Sequence, residues 1–428
     1  MENNNKYWKG IEEVEKHPGF VQNQGNEFHE ALPLDEVLDA TDFDLSSNRR
    51  DFLKIFGFSV SAVALAACSK APVKYAIPYV VKPENITPGN ANYYATTCGG
   101  CNTGCGTIVK NREGRPIKLD GNDMSPISKG ALCATGQASI LSLYDINRLA
   151  NPLADGKEEK EWSKLDASIT AKLAAIASAN GGIRIVTSTN NSPSFEKAVA
   201  AFKTKYPTTE VVTYDAISYS GMLLANEQSF GKRVIPSYNF DKAEVIVSFG
   251  ADFLGTWISP VEFTKQWVTN RNPKTGKMSR HYQFESTLSV TGSNADTRVP
   301  MRESKEGVFL ISLYNEIAKL AGVAQIAVAQ NAELAGNAIK NAAKDLFAAK
   351  GKSLVVSKSN NADNQVLVNA INVMLGNYGT VIDLDNYSNQ TKFVEADFEK
   401  FVNDLNAGAV QGVIFVKANP VYSYYNSD

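Results

Sequence analysis

Residues 98–106 read CGGCNTGCG. Three cysteines, Cys98, Cys101 and Cys105, fall within eight residues, separated by glycine and small polar side chains. A fourth, Cys133, follows after 27 intervening residues, and the only other cysteine of the chain is Cys68. The spacing differs from that of a zinc ribbon, which uses two separated pairs of close cysteines. One loop with three thiolates and a remote fourth suits a cubane, in which the loop wraps three iron corners and the distant cysteine completes the set. Structural zinc and a pair of disulfides are the alternatives. Disulfides are permitted in an exported protein, although a chain of 428 residues does not need staples. The pattern predicts a [4Fe–4S] cluster on Cys98, Cys101, Cys105 and Cys133. Gly99, Gly100, Gly104 and Gly106 are expected to let the backbone curl round it and aim N–H groups at sulfur.

Working outward, Thr107-Ile108-Val109 and Pro116-Ile117-Lys118-Leu119 alternate as hairpin strands do, with Arg112-Glu113-Gly114-Arg115 as the turn. After Cys133 a short helix and an exit loop are expected. On the other side of the loop, residues 47–68 read SNRRDFLKIFGFSVSAVALAAC. Arg49 and Arg50 followed by Phe52, Leu53 and Lys54 match a twin-arginine export signal. The apolar run from Ile55 to Ala67 is too short to span a bilayer, which takes about 20 residues, but has the length of a signal h-region. Leu65-Ala66-Ala67-Cys68 reads as a lipobox, with Cys68 as the lipidated residue. The twin-arginine route carries folded proteins, which suits a cofactor inserted before export. Forty-eight residues precede the arginines, an unusually long leader that contains His17 and His29.

Charge and composition narrow the chemistry. The chain has 45 acidic and 43 basic residues, of which residues 1–67 hold 12 and 6, so the remainder is mildly basic and carries no nucleic-acid signature. Only three histidines occur, His17, His29 and His281, too few for a histidine-built metal site or a Ser-His-Asp machine.

From about residue 165 onward, short β-branched runs alternate with helical stretches. Strands are predicted at Ile183–Val186, Glu210–Thr213, Glu244–Phe249, Leu354–Ser357, Thr380–Leu384 and Gly412–Val416. Helices are predicted at Ser194–Lys205, Pro260–Asn270, Gly307–Ala321, 325–350, Asn364–Leu375 and Asp397–Leu405. The alternation implies doubly wound parallel sheets, whose ligands bind at the carboxyl ends of strands.

At this point the chain resembles a known family. The words NREGRPIKLDGN, KGALC and LYDINRLANPL, with the cysteines before them, make residues 93–153 similar to the iron–sulfur domain of the molybdopterin-dinucleotide oxidoreductases. The implied organisation is an extended twin-arginine leader (1–67), a lipidated linker (68–92), the 4Fe-4S Mo/W bis-MGD type domain (93–153) and a molybdopterin oxidoreductase-like α/β region (165–428). The chain ends soon after a strand and its turn, so an N-terminal portion of a longer protein is expected. The family's second cofactor is molybdopterin guanine dinucleotide, and here the sequence departs from the pattern. Thr135 stands where the family's electron-passing members carry lysine, two residues after the fourth cysteine. Asp252 replaces an asparagine and Ser259 a histidine in the loop after Glu244–Phe249, and Lys417 replaces glycine in a Gly-x-Asn-Pro loop. Both loops also read as ordinary strand-to-helix turns. No cysteine after Cys133 is present to ligate molybdenum, and Ser218 and Ser220 are of too common a type to stand in. Asp296 and Arg298 resemble a pterin-side motif, but an internal Asp296–Arg298 ion pair that pins the loop is the expectation.

The long leader, the lipobox, the intact cysteines and the altered pterin loops together resemble the molybdopterin-like large subunit of the alternative complex III group. That resemblance implies electron transfer from membrane quinol, on the periplasmic face of the bacterial inner membrane. The implied partners are cytochrome c and integral quinol-binding subunits, the pterin fold being mainly a scaffold. A catalytic subunit of a periplasmic molybdenum reductase or dehydrogenase, and a cofactor-free lipoprotein scaffold, are the alternatives.

Overall fold

A computed structural model describes residues 86–87, 89–327 and 337–426. Arg49, Arg50, Cys68, the leader 1–67, most of the linker 68–92 and residues 328–336 of the Ala-rich stretch lie outside the described residues. The segment between the cysteines folds as its alternation predicts. Strands β1 (Asn92–Thr97), β2 (Gly106–Arg112) and β3 (Arg115–Gly121) form an antiparallel sheet in that order. Glu113 and Gly114 turn the β2–β3 hairpin at φ 53° and 79°, the paired positive values that a tight hairpin turn adopts. The hairpin lies where the sequence places it, whereas β1, NYYATT, has no clear alternation and is recruited by pairing across the cysteine loop, Thr97 opposite Gly106. Beyond Cys133 come the short helix α1 (Ala134–Ala138) and one 3-10 turn.

The α/β region continues with α2 (Trp162–Ser178), β4 (Gly182–Thr187), α3 (Pro193–Lys205), β5 (Thr209–Thr213), α4 (Ser220–Phe230), β6 (Ile235–Tyr238), β7 (Val245–Phe249) and α5 (Pro260–Thr269). There follow β8 (Arg280–Glu285), α6 (Val290–Ser293), β9 (Thr297–Pro300), α7 (Glu306–Ala321), α8 (Asn337–Ala348), β10 (Ser353–Ser357) and α9 (Ala362–Met374). Last are β11 (Ile382–Ser388), α10 (Glu395–Asn406), β12 (Val410–Val416) and α11 (Pro420–Ser423). Two sheets are fully parallel, β9-β8-β7-β10 and β12-β4-β5. A third pair, β11-β6, is antiparallel, an arm that the expectation of parallel sheets alone does not contain.

The four-stranded sheet shows why its strands are apolar throughout. Val245, Val247 and Phe249 of β7 pack with Val355 under α7, α8 and α9, through Leu310, Leu313, Leu346 and Ile371. Ile246, Leu354 and Val356 point to the opposite face, against Trp257, Phe263 and Phe253. Both faces of the sheet are covered, the arrangement that produces continuous hydrophobic strands. The edge strand β10 is closed by a side chain: Asn372 accepts from Val355 N at 3.1 Å and donates to Val355 O at 2.8 Å. Asn372 thereby occupies the place of a neighbouring strand.

The expected Asp296–Arg298 pair does not form. Asp296 binds Arg271 through two hydrogen bonds of 2.8 and 2.9 Å, and Arg298 binds Glu285 at 2.6 Å. Asp296 also precedes β9, at the amino end of the parallel strands, away from the carboxyl ends where a ligand would bind. Among the described residues no helix is long and apolar enough to cross a membrane.

Candidate metal centre

The cysteine loop is the connection between β1 and β2, and a backbone hydrogen bond closes its neck, from Cys98 N to Cys105 O at 2.8 Å. Gly104 turns inside the loop at φ 65°, a value that glycine adopts without penalty. Gly106 is required for packing, since a Cβ there would lie 2.9 Å from the Ser125 Cβ. The other two glycines show no such demand: nothing lies within 4 Å of a Cβ at Gly99, and a Cβ at Gly100 would meet Cys98 Sγ at an ordinary 3.6 Å.

Gly106 is also what brings Cys133 back. Strand β3 returns along β2 until Gly121 lies opposite Thr107. Residues 122–131 then fold over Gly106. Its N–H donates to Ser125 Oγ at 3.3 Å, and its carbonyl accepts from Asn122 N at 3.0 Å and Ser128 Oγ at 3.4 Å. Cys133 follows directly and caps α1, its sulfur accepting the Gly136 N–H at 3.3 Å. An N–H directed at sulfur is a contact that the cysteine of an iron–sulfur site accepts. Asn122, Ser125 and Ser128 carry no signal of this role in the sequence, because each acts on a backbone group rather than on a cysteine.

All four thiols are free; Cys105 is buried, Cys98 half-buried, and Cys101 and Cys133 exposed. Burial pushes the Cys105 thiol up to about 11, and the charges of Cys101, Cys98 and Cys133 add to the effect. The other three thiols thus bear on Cys105, which places the four sulfurs in one neighbourhood where multivalent iron would offset their negative charge. Among the described residues no three His, Cys, Asp or Glu side chains are gathered as ligands of a single ion. A cubane, with its iron corners standing apart, makes no such demand on its thiolates. The donor set fits a four-iron cluster. Thr135, on α1, is exposed.

The strand ends of the four-stranded sheet form a different environment. Asp252 Oδ1 accepts from Thr291 N at 3.0 Å and from the Thr291 hydroxyl at 2.8 Å. Glu285, at the end of β8, accepts from Ser289, Gln283 and Arg298. Burial opposes its ionisation, but the hydrogen bonds from Ser289 and Arg298 outweigh it and hold the carboxyl below its ordinary range. Ser357, at the end of β10, donates to Glu306, and Lys358 is paired with Glu303. Burial raises Glu306 above its ordinary range. Four carboxylates thus gather at the carboxyl ends of these strands, and Arg298 and Lys358 are committed to two of them. These residues do not fit an anionic dinucleotide. Ser220 donates to Glu395, which also accepts from Asn360 at 2.9 Å, and Ser218 donates to Ser220 at 3.1 Å. Both serines are engaged within the protein. Ser259, half of the altered histidine-proline pair, accepts from Gln390 Nε2 at 3.1 Å. Lys417 has φ 52°, so lysine occupies a left-handed position that suits the glycine of the family pattern. His281 is a fully buried strand residue, hydrogen-bonded to Gln283 at 3.3 Å.

Comparison with known proteins agrees with the cysteine cradle. Residues 91–145 match the molybdopterin oxidoreductase Fe4S4 domain. The chain is 22% identical over 246 residues to the menaquinone reductase molybdopterin-binding-like subunit of Nitratidesulfovibrio vulgaris, covering 55% of this chain and 34% of that protein. It is 24% identical over 298 residues to formate dehydrogenase 2 subunit alpha (cytochrome c-553) of the same organism, covering 64% and 28%. It is 28% identical over 117 residues to the periplasmic nitrate reductase of Campylobacter fetus subsp. fetus, covering 27% and 12%. The chain therefore spans about a third or less of the length of these relatives. Among solved structures it matches acetylene hydratase from Pelobacter acetylenicus with a TM-score of 0.48 at 12% identity, covering 68% of this chain and 44% of that one. The superfamily resemblance read from the cysteine block is borne out by the domain match and these relatives.

Proposed function

We propose that this molybdopterin oxidoreductase-type chain, with its Fe4S4 domain, is an electron-transfer subunit of a membrane-associated quinol:acceptor oxidoreductase of the alternative complex III type. The observation that carries the reading is the contrast between two sites in one chain. The cradle of Cys98, Cys101, Cys105 and Cys133 is built to hold iron, whereas the strand ends at Asp252, Glu285, Glu303 and Glu306 are filled by the protein's own carboxylates. In this reading the four cysteines ligate a [4Fe–4S] cluster, which accepts and passes on one electron at a time. The chain's residues hold that cluster, direct the Gly136 N–H at the Cys133 sulfur and keep Cys105 from water. The pterin fold is a scaffold. A relative named as a menaquinone reductase subunit supports a quinone-linked complex, and cytochrome c and integral quinol-binding subunits are the partners we assign. We further assign 1–67 as an extended twin-arginine leader read at Arg49 and Arg50, 68–92 as a linker lipidated at Cys68, 93–153 as the cluster domain and 165–428 as the pterin-fold region. The protein then lies at the periplasmic face of the inner membrane.

A second reading, a catalytic periplasmic molybdenum reductase or dehydrogenase, draws on the relatives named as formate dehydrogenase and periplasmic nitrate reductase. Metal analysis of the full-length protein, with EPR of the dithionite-reduced sample, separates the two. About four irons per chain with a reduced-cluster signal and no molybdenum is expected. Stoichiometric molybdenum would overturn the scaffold role, and protein without iron would overturn the cluster.

A further inference from the structure

Two side chains inside the cysteine loop reach outside it. Asn102 Nδ2 donates to Asp215 Oδ1 at 3.3 Å, and the buried Thr103 donates to Gln390 Oε1 at 3.3 Å. These partners are 113 and 287 residues away in sequence. Asp215 follows β5 and spends both oxygens on donors. Oδ1 also accepts from Thr189 N at 2.8 Å, while Oδ2 accepts from the hydroxyls of Thr189 at 2.6 Å and Thr391 at 3.2 Å. A carboxylate has room for about four donors, and all four positions are taken here. Gln390 passes the Thr103 contact on to the buried Ser259 at 3.1 Å, in the loop between β7 and α5. The segment between Cys101 and Cys105 is thus tied at one residue to the three-stranded sheet and at the next to the four-stranded sheet.

We propose that Asp215, seconded by Gln390, is a positioning residue for the cluster. It holds the Cys101–Cys105 segment through Asn102 and sets a fixed anionic group beside the loop. This rests on the cluster reading above. Reduction adds one electron to the cluster, so a neighbouring carboxylate opposes it and lowers the midpoint potential. Asparagine at this position loses the charge and offers acceptors on one atom only.

The test uses full-length, iron-loaded protein and compares Asp215→Asn, Asn102→Ala and Gln390→Ala with the parent chain. The readouts are the EPR-monitored midpoint potential, the g values of the dithionite-reduced cluster, the rate of iron loss to a chelator, and circular dichroism with thermal unfolding as the fold control. Asp215→Asn is expected to raise the potential and change the g values. Asn102→Ala and Gln390→Ala, which keep the charge, are expected to speed iron loss several-fold with a smaller change in potential. Folded, iron-loaded variants with the parent potential, g values and iron-loss rate would overturn the proposal. Should Asp215→Asn not fold, Asn102→Ala and Gln390→Ala decide it on the same readouts. Parent protein without iron fails the cluster reading itself, before any variant is compared.

Discussion

Asp252 receives both hydrogen-bond donors of the fully buried Thr291, the backbone N–H and the hydroxyl, on a single carboxylate oxygen. Thr291 in turn accepts from Leu254 N at 2.9 Å, so the pair joins the loop after β7 to α6. Asp252→Ala leaves a buried N–H without its partner and is expected to destabilise the fold by about 1–3 kcal/mol. Asp252→Asn, which can still accept, is expected to cost less. Urea midpoints compared at constant slope check the order, and an Asp252→Ala variant as stable as the parent would contradict the structural role.

The cysteine assignments make a sharper prediction. Cys98→Ser, Cys101→Ser, Cys105→Ser and Cys133→Ser are each expected to lower iron retention and alter or abolish the reduced EPR signal. Cys68→Ser is expected to leave both unchanged, because that cysteine is assigned to lipid and not to iron. Iron assay and EPR on the five variants suffice.

His281 is buried, and burial lowers its pKa from 6.5 to about 4. The folded protein keeps the ring neutral while the unfolded chain takes up a proton below 6.5, so this stability is complete above pH 6.5. It is lost progressively as pH falls toward 4, by about 3 kcal/mol at most. Glu262 and Glu306, raised by burial, slope the other way in the same range. The comparison that matters is therefore between the parent and His281→Asn. The variant is expected to lose less stability than the parent as pH falls from 6.5 to 4.5, measured by urea unfolding at fixed ionic strength.

Lysine at a left-handed position is strained where glycine is not. Lys417→Gly is expected to stabilise the fold by about 1 kcal/mol. The reading is a raised thermal midpoint with no change in iron content.

How much of this was legible depended on whether the residues betrayed their surroundings. EVIVSF announces a strand covered on both faces, and β7 is one. RHYQFE does not: His281, Gln283 and Glu285 alternate with apolar residues like the wet face of an edge strand, yet all three are buried. They satisfy one another along the strand, His281 with Gln283 and Gln283 with Glu285 at 3.1 Å. Periodicity cannot separate a polar face that meets water from one that meets itself. The four cysteines were legible because spacing along the chain carries their chemistry. The Asn102–Asp215 and Thr103–Gln390 ties were not, since hydrogen bonds across 113 and 287 residues leave no local trace. The antiparallel β6–β11 arm was hidden for the same reason. The Asp296–Arg298 pair was misread because each residue has a nearer partner that only the folded sheet supplies.

The fold of residues 122–131 over Gly106 has a consequence for assembly. Drawing a cysteine back across 27 residues costs loop-closure entropy. Hairpin pairing and three hydrogen bonds to Gly106 offset part of that cost. All of these contacts are local, the kind that forms early in folding. These contacts are thus expected to draw Cys133 toward the cysteine loop, while the Cys101–Cys105 segment waits on its distant partners Asp215 and Gln390. Stripping the cluster should leave the hairpin standing.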